Sequence, residues 1–226
     1  AYNVLVRHID RDARDNDTDR AYGGMIRSGK GELVEGMAKS LLQIAWRELG
    51  GEVRRLSFER EYIRVSIKNK EEYLGRIKND AVRDHIAQNF DQYVYKFKTD
   101  IHTHVDGRLV LGVECKAYAE NAMLKRIMVD FTFLKQAYPN AQAVLLQLES
   151  QLGGDYFDIG KEIHYGSFPT HTIMSYFNVD LHIITLLEGD RKVDEPIHKK
   201  AFYKELKERS VINAVAVFKD ILKKSL

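Results

Sequence analysis

Asp100, Glu114 and Lys116 sit in one stretch, KTDIHTHVDGRLVLGVECKAY (Lys98 to Tyr118), that also carries His102 and His104. Whether these groups can act together depends on how the stretch pairs with itself. The segment around Asp106-Gly107 is a hairpin turn signal between two runs of period-two alternation. Tyr93, Tyr95, Phe97, Ile101 and Val105 on the incoming run and Leu109, Leu111, Val113 and Cys115 on the outgoing run are the mostly apolar positions, so odd residues must share a face with odd residues. A three-residue loop with Gly107 in the left-handed conformation, pairing 104 with 108, preserves that parity. Asp100 then faces Gly112 and lies diagonal to Glu114, about 7 to 8 Å away, with Lys116 on the same face. Asp106 is left at the turn, about 26 Å from Glu114 at strand rise, too far to share a ligand with it. Two close carboxylates repel each other, and a divalent cation between them resolves the repulsion.

Asp100-x-His102-x-His104 makes a rival claim, because histidines two apart on a strand share a face and can hold one metal. The box resembles that of amidohydrolases, which place it on the first strand of a barrel of about 250 residues. Here residues 1–99 precede it, and His164, His171, His182 and His198 do not fall at successive strand ends. That metal hydrolase stays a remote alternative. On the hairpin reading His102 and His104 lie on the polar face, solvated or facing a ligand.

The elements that must position these residues follow from spacing. Residues 7–30 alternate Arg and Asp with several glycines, which predicts an arm or loop over 1–30. From Glu32, Val34, Ala38, Leu41 and Ala45 recur at helical spacing until Gly50-Gly51 stops the helix. EYIRVSIKN (Glu61 to Asn69) reads as a strand, 70–89 as one or two charged helices, and YVYKFKTDIHTHV as one alternating run. A helix over Asn121 to Ala137, closed by Pro139, precedes the nearly unbroken apolar strand Ala141 to Glu149. A loop at Gly153-Gly154, a short helix near Thr170 to Phe177, the strand DLHIITLLE and helices from Lys199 complete the chain. The fold class is α/β, a central mixed β-sheet flanked by helices.

Asp100 at the start of one strand, VECK (Val113 to Lys116) at the end of the next, a helix directly after and then AVLLQL together resemble the PD-(D/E)XK nucleases, and within them the type II restriction endonucleases. The likeness covers residues 31–150, with Thr99 where proline often stands. It implies a restriction-endonuclease-like core in which Asp100, Glu114 and the Cys115 backbone carbonyl hold Mg²⁺ and Lys116 orients or activates the attacking water. It also implies a glutamate on the preceding helix. Glu35 fits that place at the margin of the apolar stripe, whereas Glu32 points further toward solvent. Hard oxygen ligands suit Mg²⁺, which keeps waters for the nucleophile.

The resemblance further implies double-stranded DNA as substrate, 5′-phosphate ends, a homodimer and the cytoplasm of a bacterium or archaeon. A chain of 226 residues suits a single nuclease domain: an arm over 1–30, a catalytic core over 31–150, and sheet completion with carboxy-terminal helices over 151–226. No run is apolar enough for a membrane span, and the charged amino end does not look like a signal peptide, so a soluble intracellular protein is expected. The single cysteine, in an apolar strand pattern, is expected in the core and excludes an intrachain disulfide and any multi-cysteine zinc module. A net charge of +2 gives no global pull on DNA, so cations must gather locally. Arg27 and Lys30 in RSGKG, His102, and Lys125 and Arg126 on the helix after the hairpin are the candidates. Two further alternatives are a structure-specific repair or resolvase nuclease and a DNA-binding module without catalysis.

Overall fold

The computed structural model describes Tyr2 and residues 19–153, 167–197 and 199–226, with only the backbone described for 19–28 and Lys200. Helix α1 (Asp19–Glu48) leads into strand β1 (Leu56–Glu59) and strand β2 (Ile63–Ser66). Helices α2 (Lys70–Gly75) and α3 (Asp80–Gln88) precede β3 (Val94–Phe97), β4 (Ile101–Val105) and β5 (Arg108–Glu120). Then come α4 (Asn121–Ala137), β6 (Gln142–Gln151), α5 (Phe168–Ser175), β7 (Leu181–Thr185) and α6 (Glu208–Leu222).

Among the described residues five strands form one sheet in the order β1-β4-β5-β6-β7, while β2 and β3 form a separate two-stranded ribbon. The β1, β4 and β5 strands are antiparallel; β5, β6 and β7 run parallel. This is the expected mixed sheet, and it is covered on both faces. Val34, Ala38, Leu42 and Trp46 of α1 and Phe218 and Leu222 of α6 bury against Val113, Val144 and Leu146 on one side. On the other, Leu124, Met128, Phe131 and Leu134 of α4 meet Ala143 and Leu145. Because β6 is enclosed by both layers, eight consecutive residues, 143–150, are buried, which is why its sequence shows no alternation. Among the described residues no helix is long and apolar enough to cross a membrane.

Three expectations are corrected. Residues 19–30, read as part of an arm or loop, extend α1, while residues 1 and 3–18 of that arm lie outside the described residues. Once the apolar turns from Val34 have nucleated a helix, each further residue upstream costs little, so a charged, glycine-bearing segment can follow. The single run YVYKFKTDIHTHV is broken at 98–100, where β3 leaves for the ribbon and β4 enters the main sheet. Thr99 makes the break: its Oγ1 donates to Ile101 O at 3.1 Å and its N–H to the His102 side chain at Nε2, 3.3 Å away, so neither bond is a strand-to-strand backbone pair.

The hairpin loop has two residues, with Val105 paired to Arg108 and positive φ at both Asp106 (50°) and Gly107 (74°). That is the twist-matched turn of tight hairpins, in which both central residues need left-handed backbone. Parity is restored by a bulge: His104 pairs with Leu109 but Thr103 with Leu111, leaving Val110 as the extra residue. Beyond the bulge His102 faces Gly112 and Ile101 faces Val113, so Asp100 approaches Glu114 directly and not Gly112.

Candidate active site

Asp100 stands just before β4, and Glu114 and Lys116 project from one face of β5. The Cys115 N–H donates to Asp100 Oδ2 at 2.8 Å, which fixes the carboxylate over the middle of β5. Lys116 Nζ donates to Glu114 Oε1 at 2.5 Å, to Asp100 Oδ2 at 3.2 Å and to the Cys115 carbonyl at 3.2 Å. The three side chains are only 19%, 16% and 29% exposed for Asp100, Glu114 and Lys116, so their charges act in poorly screened surroundings. They open onto a cleft of about 490 Å³, whose walls include Arg60, Tyr62, Lys96, Lys98, Arg126 and Asp130.

Burial, and then Asp100 and Asp130, raise the Glu114 carboxyl above its usual range against the opposing pull of Lys116. Burial lowers Lys116, but Glu114 and Asp100 outweigh it and the ammonium is held more firmly protonated than a free lysine. In the metal-free site Lys116 is therefore a cation and a hydrogen-bond donor. Burial also raises Asp130 on α4, against Arg126 and Lys116. Cys115 is buried and its thiol is pushed up by that burial and by the surrounding carboxylates, so the side chain stays an inert part of the core.

The expected Glu35 reaches the site through an intermediary. Arg60, just after β1, lies 3.7 Å from Glu35 Oε2 by Nη1 and 3.5 Å from Asp100 Oδ1 by Nη2. Glu32 is exposed, as the helical stripe predicts. Arg60 and Asp130 are the residues that sequence reasoning missed. Asp130 had a faint signal, an acid among Ile127, Phe131 and Leu134 on the buried side of α4.

The other candidates scatter. Arg126 lines the cleft and lies 3.8 Å from Asp130, whereas Lys125 is exposed and does not line it. Lys30 is half-buried near Glu149 and Arg191, away from the cleft walls. The Arg27 side chain lies outside the described residues. His102 is corrected: expected on a solvated or DNA-facing side, it is 2% exposed and accepts the Thr99 N–H, so it offers no face to a ligand. His104 is half-buried with Nδ1 unpartnered, and among the described residues no three acids, histidines or cysteines group as a metal cage. His164 and His198 lie outside the described residues. Asp106, as expected, is a turn residue, gripped by Arg55 at 2.8 Å.

The donor set fits a hard divalent cation bound by few protein ligands. Two carboxylates and a carbonyl converge, and a cation there offsets the repulsion recorded in Glu114; Mg²⁺ characteristically takes one or two carboxylates and completes its shell with water and phosphate.

No family model matches the chain. It is 44% identical over 225 residues to "Type II restriction enzyme DdeI" of Desulfomicrobium norvegicum, spanning 98% of this chain and 92% of that protein. A solved structure described as the native BbvCI A2B2 tetramer at low resolution aligns over 99% of this chain and 82% of its own, with 12% identity and a TM-score of 0.35. That likeness is too loose to match one residue with another.

Proposed function

The chain belongs to the type II restriction enzymes, and from that premise we propose that Asp100, Glu114 and Lys116 form its phosphodiester-hydrolysing site. It is an endodeoxyribonuclease; the proposal concerns which residues cut and how. Asp100, Glu114 and the Cys115 carbonyl would hold Mg²⁺, which when bound polarises a phosphate oxygen and makes a water nucleophilic near neutral pH. Lys116, kept protonated by Glu114 and Asp100, supplies positive charge where negative charge develops on the phosphoryl group. Its three contacts are to Glu114, Asp100 and the Cys115 carbonyl, the same groups that would hold Mg²⁺, so metal binding would take over these oxygens and leave the ammonium beside the site, free to face the phosphate. Glu35 acts through Arg60, which it helps hold against Asp100.

The substrate we assign is double-stranded DNA with a short specific site, cut to leave 5′-phosphates in the cytoplasm of a bacterium or archaeon. The chain acts as a single nuclease domain, and a homodimer matches a two-fold symmetric site. The observation that carries the site assignment is the convergence of the two carboxylates and the ammonium at the cleft floor. Digestion of a sequenced plasmid with Mg²⁺, followed by mapping of the ends, tests it. The parent gives discrete fragments, and Asp100→Ala and Lys116→Ala each lose about 100-fold or more of the rate while still binding the cut duplex in EDTA. Full cleavage by either variant would remove that residue from the chemistry.

A further inference from the structure

The ribbon of β2 and β3 has one apolar and one cationic face. Ile63 pairs with Phe97 and Val65 with Tyr95, and this side packs on α4, where Tyr95 and Phe97 meet Phe133 at ring-centre distances of 5.6 and 5.8 Å. The opposite side carries Arg64 directly across from Lys96, both exposed. Like charges directly opposed across a strand pair are destabilising. Neither cation has an acidic partner among the described residues, although the chain contains 33 acids. One step closer to the catalytic residues, Lys98 Nζ lies 4.6 Å from the centre of the 60% exposed Tyr62 ring. Lys96, Lys98 and Tyr62 are walls of the cleft that holds Asp100, Glu114 and Lys116, and Lys98 is two residues from Asp100 in the chain.

We propose that the outward face of this ribbon, Arg64, Lys96 and Lys98 with Tyr62, is a phosphate-backbone track that seats duplex DNA in the catalytic cleft. The proposal rests on the assignment of duplex DNA as substrate. The face is anionic-ligand chemistry: Arg64 and Lys96 pair across the ribbon without a protein carboxylate, and Lys98 follows Lys96 along the chain toward the proposed catalytic residues. Its rigid apolar back on α4 fixes it relative to β5, because α4 follows β5 directly. Phosphate contacts fix orientation and carry no sequence information, so this face positions the DNA and leaves base reading to other groups.

The test measures binding in EDTA to two duplexes, one from a mapped cut site and one lacking it, over a range of salt. Removing a cation that neutralises one phosphate lowers the slope of log affinity against log salt by about 0.9. Arg64→Ala/Lys96→Ala should therefore flatten the slope by about 1.8 and weaken both duplexes alike, while Lys192→Ala, an exposed lysine outside the cleft, leaves it unchanged. The double variant's unfolding midpoint should not fall below the parent's, since a repulsive pair is removed. An unchanged slope overturns the track, as does a loss confined to the cut-site duplex, which would mark base reading. If the parent cuts the plasmid while the variants keep its salt slope, the track alone fails. If the parent neither binds nor cuts duplex DNA, the functional reading fails and the track with it.

Discussion

Arg60 places a guanidinium between two carboxylates, one of which is a proposed metal ligand. At 3.5 Å from Asp100 and 3.7 Å from Glu35, with half its side chain exposed, it neutralises part of the Asp100 charge that a divalent cation would draw on. A cation bound to Asp100 would compete with that ion pair for the carboxylate charge. A half-exposed ion pair contributes at most about 1 kcal/mol, so Arg60→Ala should tighten Mn²⁺ binding to the DNA-free protein by about two- to five-fold. Isothermal titration reads this without any turnover, and unchanged or weaker Mn²⁺ binding would show that Arg60 does not compete. The residue was invisible in the sequence because it comes from the bend between β1 and β2, with no motif spacing to tie it to the hairpin. Asp100, Glu114 and Lys116 were legible because strand parity alone constrains which residues of a hairpin share a face.

Parity, however, does not count loop residues. A three-residue loop and a two-residue turn followed by a one-residue bulge put the same residues on the same face, and only the first was expected. The face came out right, while Asp100 moved from Gly112 to Glu114. The helix α4 and the strand β6 were readable from periodicity, a proline stop and an apolar run. The burial of His102 was not, since its face of β4 looks polar in sequence. Gly112, its cross-strand partner, explains the difference: a Cβ there would meet Leu134 Cδ2 at 2.7 Å, Phe131 at 3.3 Å and Thr99 Oγ1 at 3.4 Å. Glycine lets α4 close over this face beside the Asp100 bend. Gly112→Ala should cost about 1–3 kcal/mol in urea unfolding, as overpacking of a buried helix-sheet contact does. In a double-mutant cycle Leu134→Ala should cost less in that background than in the parent. Additive costs would show that the two side chains do not compete for the same space.

At the scale of the whole molecule, buried titrating groups couple stability to pH with opposite signs. His102 is driven down to about 4, first by burial and then by His104, against Glu59. The unfolded chain takes up a proton below its ordinary value of 6.5, the folded chain only near 4, so stability present above pH 6.5 is lost as pH falls through this window. The loss approaches about 1.4 kcal/mol per pH unit within the window. Glu114 and Asp130, both raised, act in reverse: the folded protein holds their protons more tightly, so their contribution is present at low pH and lost as pH rises through the raised values. The histidine by itself lowers the unfolding temperature of metal-free protein from pH 7 to pH 5, so His102→Asn should show a smaller drop over that interval than the parent. Mg²⁺ needs Glu114 deprotonated, so the rise in melting temperature it produces should be full near pH 8 and shrink as pH falls through the elevated Glu114 range. Glu114→Gln, which carries no titrating carboxyl, should show a small Mg²⁺ shift that does not vary with pH. Differential scanning fluorimetry across pH, with Mg²⁺ and with EDTA, separates the two effects, because the histidine slope persists in EDTA and the carboxylate effect on the metal shift does not. A Mg²⁺ shift that stays constant with pH in the parent would remove Glu114 from the metal site while leaving the histidine slope in place.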